Sequence, residues 1–490
     1  MNKFFITLTF VLCIAFSAFA QHRREASIVK RIEVYLNKME NVGFSGSVLV
    51  GMNGKKVLSK GYGYRDQKIY LKNEPSTIFN ISSITKQFTA SAILKLEMQD
   101  KLSIDDRITK YFTNVPKDKV SITIHDLLRH QAGLINSIGK DYDKIDKDDF
   151  IKKVFSTKLR FEPGTQFSYS NIGYSLLAII IEKVAGTSYE DYLYKNLFKP
   201  AGMELTGTSR PDFNAENVAV GYYNNDSVWG KPTDKGYDID DQYWNITGNG
   251  SILSNVEDMF KWDKALTTNK ILSNQEKQQL YHPKLRADED KNGNAFYAYG
   301  WDVSKTNRHT ERVWHNGVNN IMYADFTRFI DERVTIIMLS NRSNQRNFDG
   351  KISIDIAGII FDKNYKPTIP VAENKENNDF TERIIKTVIE KGLQAGKDEF
   401  LRRSKGTDLI SYIVNNKGYD LINENKIDQA ITLFEINAFA FPESADAYDS
   451  LAEGYMDKGN KSLAIKYYEK SLALNPANNN AVDMLKKLKK

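Results

Sequence analysis

Cysteine is almost absent from this chain, since its 490 residues contain only Cys13. That residue lies in a leader-like N-terminus, where Lys3 precedes the largely apolar run Phe4–Phe16 and Ala18-Phe19-Ala20 has the small-x-small pattern of a cleavage site. We therefore predict a signal peptide over residues 1–20, cleaved after about Ala20, and a periplasmic or secreted mature protein. Because the mature chain would contain no thiol, disulfides and cysteine metal sites are excluded from it.

Other signals are missing as well. No further segment approaches the roughly 20 apolar residues that span a bilayer, so we expect no transmembrane anchor in the mature chain. The net charge of +6 comes from 68 basic and 62 acidic residues without a basic block interleaved with aromatics, which argues against nucleic-acid binding. There is no His-Glu-x-x-His, no Gly-x-Ser-x-Gly and no phosphate-binding Gly-Lys-Ser/Thr loop. We accordingly predict no metal and no cofactor.

The length of the chain exceeds what one hydrophobic core usually supports, which favours two domains. An amphipathic helix and a β-hairpin around Asn53-Gly54 open the mature chain, and three further strands are predicted between residues 312 and 339. Residues 83–285 are mostly helical in pattern, and 352–361 is predicted to be a closing helix. The sequence therefore predicts an α+β fold over residues 21–366, with a discontinuous antiparallel sheet flanked by helices and an all-helical lobe.

A polar, proline-bearing stretch at 367–379 predicts a linker, and the periodicity changes after it. The 34-residue recurrences, typical of tetratricopeptide repeats, are Ala430 with Ala464 and Pro442 with Pro476. We predict an all-α domain over residues 380–490 with about two such repeats, capped by its flanking helices. The repeats could bind peptides or a partner protein on a concave face, or they could pack on the first domain or mediate self-association.

The first chemical motif is Ser83-Ile84-Thr85-Lys86. A serine hydroxyl needs a base within hydrogen-bond reach to act as a nucleophile, and residues three apart share one face of a helix. A long apolar run follows, so Ser83 should lie near a helix N-terminus, where free N–H groups favour negative charge. Burial there would lower the pKa of Lys86 and let it accept a proton. The spacing alone is weak, since Ser27 and Lys30 share it.

The second motif is Tyr169-Ser170-Asn171. Glu162-Pro163-Gly164 predicts a turn that delivers Tyr169 and Asn171 on a short extended piece, where side chains two apart point the same way. A tyrosine close to a cation could shuttle the proton from Ser83 to a leaving group. By contrast, His125 and His130 lie on a leucine-bearing helix, and we expect both to be structural.

The third motif is His315-Asn316-Gly317-Val318, at a strand predicted to border a cleft. Gly317 would let the backbone come close to a substrate. The N–H groups of Val318 and Ser83 could together form an oxyanion hole. An unperturbed histidine titrates near pH 6.5, so we expect His315 to be partly charged near neutrality and activity to vary between about pH 5 and 8.

In this order the three motifs resemble the serine β-lactamase and penicillin-binding-protein superfamily, and most closely class C β-lactamases, D,D-carboxypeptidases and related serine esterases. The resemblance covers about residues 28–361. It implies an acyl-enzyme on Ser83, Lys86 as partner base, Tyr169 as general base or proton relay, and Asn171 orienting the substrate amide. It also implies that His315, Asn316 and Gly317 contact the substrate while Val318 donates to the oxyanion. Supporting segments are Ile122–Leu134, Phe161–Gly164, Leu197–Met203, Gly248–Ser254 and Leu339–Asn341.

One departure bears on the substrate. β-Lactamases of this superfamily usually carry Lys-Thr-Gly as the third motif, whereas a histidine there is closer to D,D-carboxypeptidases and broad serine hydrolases. We therefore predict an exported serine hydrolase acting on an ester, an amide or a D-amino-acid peptide rather than an efficient β-lactamase. The sequence leaves open hydrolysis or transfer, and which residue is the general base. The alternative is a catalytically silent binding module whose repeats do the work.

Overall fold

The computed structural model describes residues 23–223, 227–235, 243–284, 295–319, 321–342, 350–372, 375–475 and 478–489. The predicted signal peptide over residues 1–20, with Cys13, lies outside the described residues. The strands are β1 Gly46–Met52, β2 Lys55–Tyr62, β3 Tyr64–Asp66, β4 Leu71–Lys72, β5 Phe79–Asn80, β6 Gly221–Tyr222, β7 Val228–Gly230, β8 Leu253–Ser254, β9 Ala295–Tyr297, β10 Asp302–Lys305, β11 Glu311–Val318, β12 Tyr323–Phe329 and β13 Val334–Ser340.

The α-helices of the described residues are numbered in chain order. They are α1 23–41, α2 Thr85–Glu97, α3 Ile124–Leu128, α4 Lys147–Ser156, α5 Asn171–Ala185, α6 Tyr189–Leu193, α7 Lys199–Ala201, α8 Val256–Leu266, α9 Asn274–Tyr281, α10 Lys351–Phe361, α11 Lys375–Lys391, α12 Leu393–Leu401, α13 Ser411–Asn423, α14 Ile427–Ala440, α15 Ala445–Asp457, α16 Lys461–Leu474 and α17 Asn479–Leu488. Within these ranges, no helix is long and apolar enough to cross a bilayer.

Seven of the strands form one antiparallel sheet in the order β2-β1-β13-β12-β11-β10-β9. The early strand β1 pairs with the late strand β13 from Gly46↔Ser340 to Met52↔Val334. The turn between β1 and β2 falls at Asn53-Gly54, whose φ angles of 53° and 73° are the positive values that such a two-residue turn requires. The predicted hairpin and the discontinuous antiparallel sheet are confirmed.

Helices cover both faces of this sheet. On one face, Phe260 of α8 packs against Gly51 of β1, and Leu49, Ile337 and Leu339 join the main hydrophobic core. On the other face, α10 contacts β13, and α1 is tied to α10 because the Tyr35 hydroxyl donates to Asp355 at 2.7 Å. In the helical lobe, α2 and α5 are buried along most of their length. The predicted α+β class is confirmed.

The chain divides into two compact units. The first extends to Pro367 but omits residues 41–43, and the second consists of Asn41–Gly43 and Thr368–Lys490. The second unit is all-helical in its described part, with α13 packed on α14 and α15 on α16. Ala430 and Ala464 are fully buried there, since small side chains allow close helix approach.

The predicted linker extends too far, because α11 begins at Lys375. The polar residues that suggested a linker belong to an amphipathic helix whose apolar face, including Phe380 and Ile384, is buried. Asn377 is itself buried, where its Nδ2 donates to the Ala372 carbonyl at 2.9 Å.

Candidate active site

Ser83 lies on a tight turn directly after β5. The chain makes a 3₁₀ turn over Ser82–Ile84 and enters α2 at Thr85. Ser82 has a φ of 46°, which is unusual for a residue other than glycine. The Asn80 side-chain oxygen stabilises this conformation by accepting hydrogen bonds from Ser82 N at 3.0 Å and from Ser82 Oγ at 2.7 Å. The turn thus presents Ser83, partly exposed, at the start of the helix.

Lys86 is fully buried behind Ser83. Its Nζ lies 3.1 Å from Ser83 Oγ, and it donates to Asn171 Oδ1 at 2.8 Å and to the Asn249 carbonyl at 2.9 Å. Burial lowers the pKa of Lys86 well below its usual value, and the nearby carboxylate of Asp141 opposes that shift. The structure therefore favours the neutral amine next to the serine hydroxyl.

Tyr169 and Asn171 both face Lys86. The Tyr169 ring centroid lies 4.8 Å from Lys86 Nζ, and the Ser83 side chain opposes the rise that burial causes in the pKa of the Tyr169 phenol. Burial raises the pKa of Tyr169 above its usual value, so the phenol keeps its proton at neutral pH. Ser170 fixes this arrangement because its side chain caps α5, accepting from Gly173 N at 3.3 Å.

The third motif lies on β11, beside the turn that carries Ser83. A Cβ added to Gly317 would stand 2.1 Å from the Ile81 carbonyl oxygen, so only glycine allows the strand to pass this close. His315 leaves β11 on the same face as Gly317, while Asn316 and Val318 alternate to the opposite face. The structure therefore brings His315, Gly317 and the Val318 backbone to the site, whereas Asn316 contacts His315 through its main-chain carbonyl.

The expectation that His315 is partly charged near neutrality is wrong. His315 is 2% exposed, and desolvation by burial lowers its pKa to about 3. Its Nδ1 lies 2.5 Å from the Asn316 carbonyl oxygen, which can only accept, so Nδ1 carries the proton. Nε2 then accepts from the Tyr297 hydroxyl at 3.0 Å. The imidazole is thus a neutral ring over the whole range from pH 5 to 8.

Sequence reasoning missed several residues that complete the site. His130 lies beyond the end of the helix on which it was predicted, with a φ of 57°, and has the structural role expected of it. It is fully buried with its ring centroid 4.2 Å from that of Tyr169, and its Nδ1 accepts from Ser170 N at 3.1 Å. Asn249 supplies the carbonyl that holds Lys86, and both Asn249 and His130 lie in segments that carried the family resemblance. Tyr297 had no such signal, because it is one of 26 tyrosines and meets His315 only through tertiary packing.

Among the residues that the structure describes, no three His, Cys, Asp or Glu side chains are placed to share a metal ion. The reactive groups of the site are the Lys86 amine, the Ser83 hydroxyl, the Tyr169 phenol and backbone N–H groups. This set suits acyl transfer to a serine.

Comparison with known proteins agrees with the fold and with this grouping of motifs. The family model for beta-lactamase matches residues 36–358, and a tetratricopeptide repeat model matches residues 445–478. The chain belongs to the beta-lactamase family, which groups serine hydrolases with penicillin-binding proteins.

Individual relatives are similar to part of this chain. PbpX of Bacillus subtilis (strain 168), provisionally named a penicillin-binding protein, is 35% identical over 52% of this chain and 63% of its own length. Penicillin-binding protein 4* of the same organism is 28% identical over 68% of this chain and 76% of its own. The solved octameric penicillin-binding protein homologue from Pyrococcus abyssi superimposes with a TM-score of 0.58 at 27% identity, covering 74% of this chain and 82% of that one. The match thus spans less than two thirds of PbpX.

Proposed function

We propose that the protein is an exported serine hydrolase that works through an acyl-enzyme on Ser83, with an ester, an amide or a D-amino-acid peptide as substrate. The observation that carries the proposal is the buried Lys86 amine 3.1 Å from Ser83 Oγ. Export is supported by the leader-like N-terminus, and N-terminal sequencing of the protein from the producing cells tests it.

The hydrogen bonds of Lys86 support its role as the base. A neutral amine has two N–H donors and one lone pair, and two of its three neighbours, Asn171 Oδ1 and the Asn249 carbonyl, can only accept. The lone pair is then directed to Ser83 Oγ. Because the pKa of Lys86 is lowered while that of Tyr169 is raised, we assign the base to Lys86 and the proton relay to Tyr169.

The proposed reaction follows from these assignments. Lys86 takes the proton of Ser83 as Oγ attacks the carbonyl carbon, and the N–H groups of Ser83 and Val318 stabilise the oxyanion. The proton passes by way of Tyr169 to the leaving group as the acyl bond breaks. Water or an amine then attacks the acyl-enzyme, so that hydrolysis or transfer completes the cycle.

The test is labelling of the full-length protein with a fluorophosphonate and with a fluorescent penicillin. We expect the fluorophosphonate to label wild-type protein and to fail on Ser83→Ala. Ser27→Ala is the matched control, because Ser27 and Lys30 repeat the spacing on α1 but are both exposed. No labelling of the wild type, or labelling that persists in Ser83→Ala, would favour the silent binding module instead.

We also propose that the helical repeats mediate binding of a partner protein or self-association. The tetratricopeptide match and a row of partly exposed rings support this, since Tyr467 stacks on Tyr448 and Tyr455 at centroid distances of 6.2 and 5.6 Å. Light scattering of the full chain against a variant lacking residues 380–490 separates self-association from partner binding. If the measured mass falls only by the mass of the deleted residues, the repeats do not mediate self-association.

A further inference from the structure

His130 holds the chain on both sides of Tyr169. Its main-chain carbonyl accepts from Ser168 N at 2.9 Å, and its Nδ1 accepts from Ser170 N at 3.1 Å. These two N–H groups belong to the residues directly before and after Tyr169. The backbone on either side of the phenol-bearing residue is therefore fixed by a single residue from another segment of the chain.

The imidazole of His130 also packs directly on the Tyr169 ring. The two ring centroids are 4.2 Å apart, and the ring planes make an angle of 39°. The rings of Tyr297 and Tyr174 contact the same imidazole at centroid distances of 4.6 and 5.1 Å. Because close ring packing of this kind favours particular orientations, His130 supports the Tyr169 side chain as well as its backbone.

This arrangement is unfavourable for His130 itself. Its φ of 57° lies in the left-handed region, which residues other than glycine seldom adopt. Burial lowers the pKa of His130 well below its usual value, so the ring is neutral. Since Nδ1 accepts from an N–H group, Nε2 carries the proton, and this buried donor has no hydrogen-bond partner among the described residues. Backbone strain and unpaired buried groups of this kind cluster at functional sites.

We propose that His130 is a positioning residue for the proton relay, because it holds the Tyr169 phenol in the orientation that delivers a proton to the leaving group. The inference rests on the proposed acyl transfer to Ser83 and deepens it by adding a residue on which the relay depends. His130 is fully buried, so it acts through Tyr169 and not on the substrate. No proton passes through the imidazole.

The test is the dependence of the rate on the leaving group. The substrates are p-nitrophenyl, phenyl and p-methoxyphenyl acetate, whose leaving phenols are increasingly basic and therefore need the relayed proton increasingly. His130→Phe retains an aromatic ring but offers no acceptor to Ser170 N. We expect this variant to lose about 10- to 100-fold in kcat/KM on p-methoxyphenyl acetate and no more than about threefold on p-nitrophenyl acetate.

Folding is monitored by the melting temperature of each variant. His130→Phe removes one unpaired buried donor, Nε2, and creates another, Ser170 N, so we expect its melting temperature to stay close to that of the wild type. His125→Phe is the matched control, because His125 Nδ1 also meets a tyrosine hydroxyl, that of Tyr299 at 2.6 Å, but outside the three motifs. The control should leave the ratio of the three rates unchanged.

A conservative variant separates the hydrogen bond from the ring. His130→Asn can adopt a positive φ and can accept from Ser170 N through Oδ1. We expect it to recover more than half of the loss on p-methoxyphenyl acetate. A His130→Asn variant as slow as His130→Phe on that ester would contradict a role for the hydrogen bond in positioning Tyr169.

Tyr169→Phe provides the reference for a role that acts through the phenol. If His130 works only through Tyr169, adding His130→Phe to Tyr169→Phe should not slow the reaction further, because residues that act as a unit are not additive. Independent losses in the double variant, or an equal loss on all three esters in His130→Phe, would overturn the inference.

Failure of the proposed function has a different signature. Tyr169→Phe with no dependence on the leaving group would refute the relay, and a wild type that fluorophosphonate does not label would refute the acyl transfer. Fluorine NMR of protein containing fluorotyrosine tests the positioning even if no ester is cleaved. The Tyr169 signal, assigned by its loss in Tyr169→Phe, should shift in His130→Phe, and an unchanged signal would refute the positioning.

Discussion

Gly317→Ala should inactivate the protein by displacing β11 from the turn that carries Ser83. The new Cβ would stand 2.1 Å from the Ile81 oxygen and 3.0 Å from Ser82 Cβ, whereas ordinary contacts begin near 3.4 Å, so strand and turn must separate by about 1 Å. A misplacement of that size in an active site costs roughly 100-fold in rate. Over-packing of this kind also costs about 1–3 kcal/mol of folding stability.

The assay is the rate of fluorophosphonate labelling of Gly317→Ala, measured with its melting temperature. Gly186→Ala serves as control, because Gly186 ends α5 with a φ of 68° and an added Cβ meets nothing within 4 Å. The control should lose stability through backbone strain alone and keep its labelling rate. If Gly317→Ala labels within about threefold of wild type while folded, the close approach between β11 and the Ser83 turn plays no part in catalysis and the reasoning is refuted.

The remaining predictions concern the base, the buried histidine and the repeats. Lys86→Met should slow fluorophosphonate labelling of Ser83 by about 10²–10⁴-fold, the usual contribution of a general base, and a smaller change would move that role to another residue. Because the pKa of His315 falls from 6.5 to about 3 on folding, the unfolded chain binds a proton that the folded chain excludes, and stability falls as the pH is lowered through this window. Between pH 6.5 and pH 5, the wild type should therefore lose about 1.5 kcal/mol more stability than His315→Gln, measured by urea unfolding at both pH values. An unchanged pH dependence in the variant would contradict the low pKa. Gly418→Ala should destabilise the repeat unit by about 1–3 kcal/mol, since its Cβ would lie 2.3 Å from the Phe434 ring, without changing the labelling of Ser83; an unaltered repeat-unit melting transition would count against this packing.

Local patterns were sufficient for much of the fold. Asn53-Gly54 predicts its hairpin because two-residue turns need positive φ, and the structure has both angles positive. The apolar residues of α1, such as Ile32 and Leu36, predict a buried face from helical spacing, and both are fully buried. The same reasoning failed at 375–379, where a polar composition suggested a linker although the residues begin an amphipathic helix. Composition reports polarity, and only periodicity over a longer window reveals a buried face.

The site was less accessible to such reasoning. The spacing of Ser83 and Lys86 predicts their contact because both lie within one helical turn. The neutral state of His315 could not be predicted, since it depends on burial against residues distant in sequence, including Tyr297 and Lys86. Asn316 was grouped with its neighbours by motif, yet the alternation of β11 sends its side chain to the other face.

The sequence by itself determined the order of the three motifs, the hairpin, the helical periods and the 34-residue repeat, because each depends on residues close together in the chain. The tertiary structure decided which titratable groups of the site carry a charge. Long-range packing removes water from Lys86 and His315, and the cost of desolvating a charge depends on every element around it.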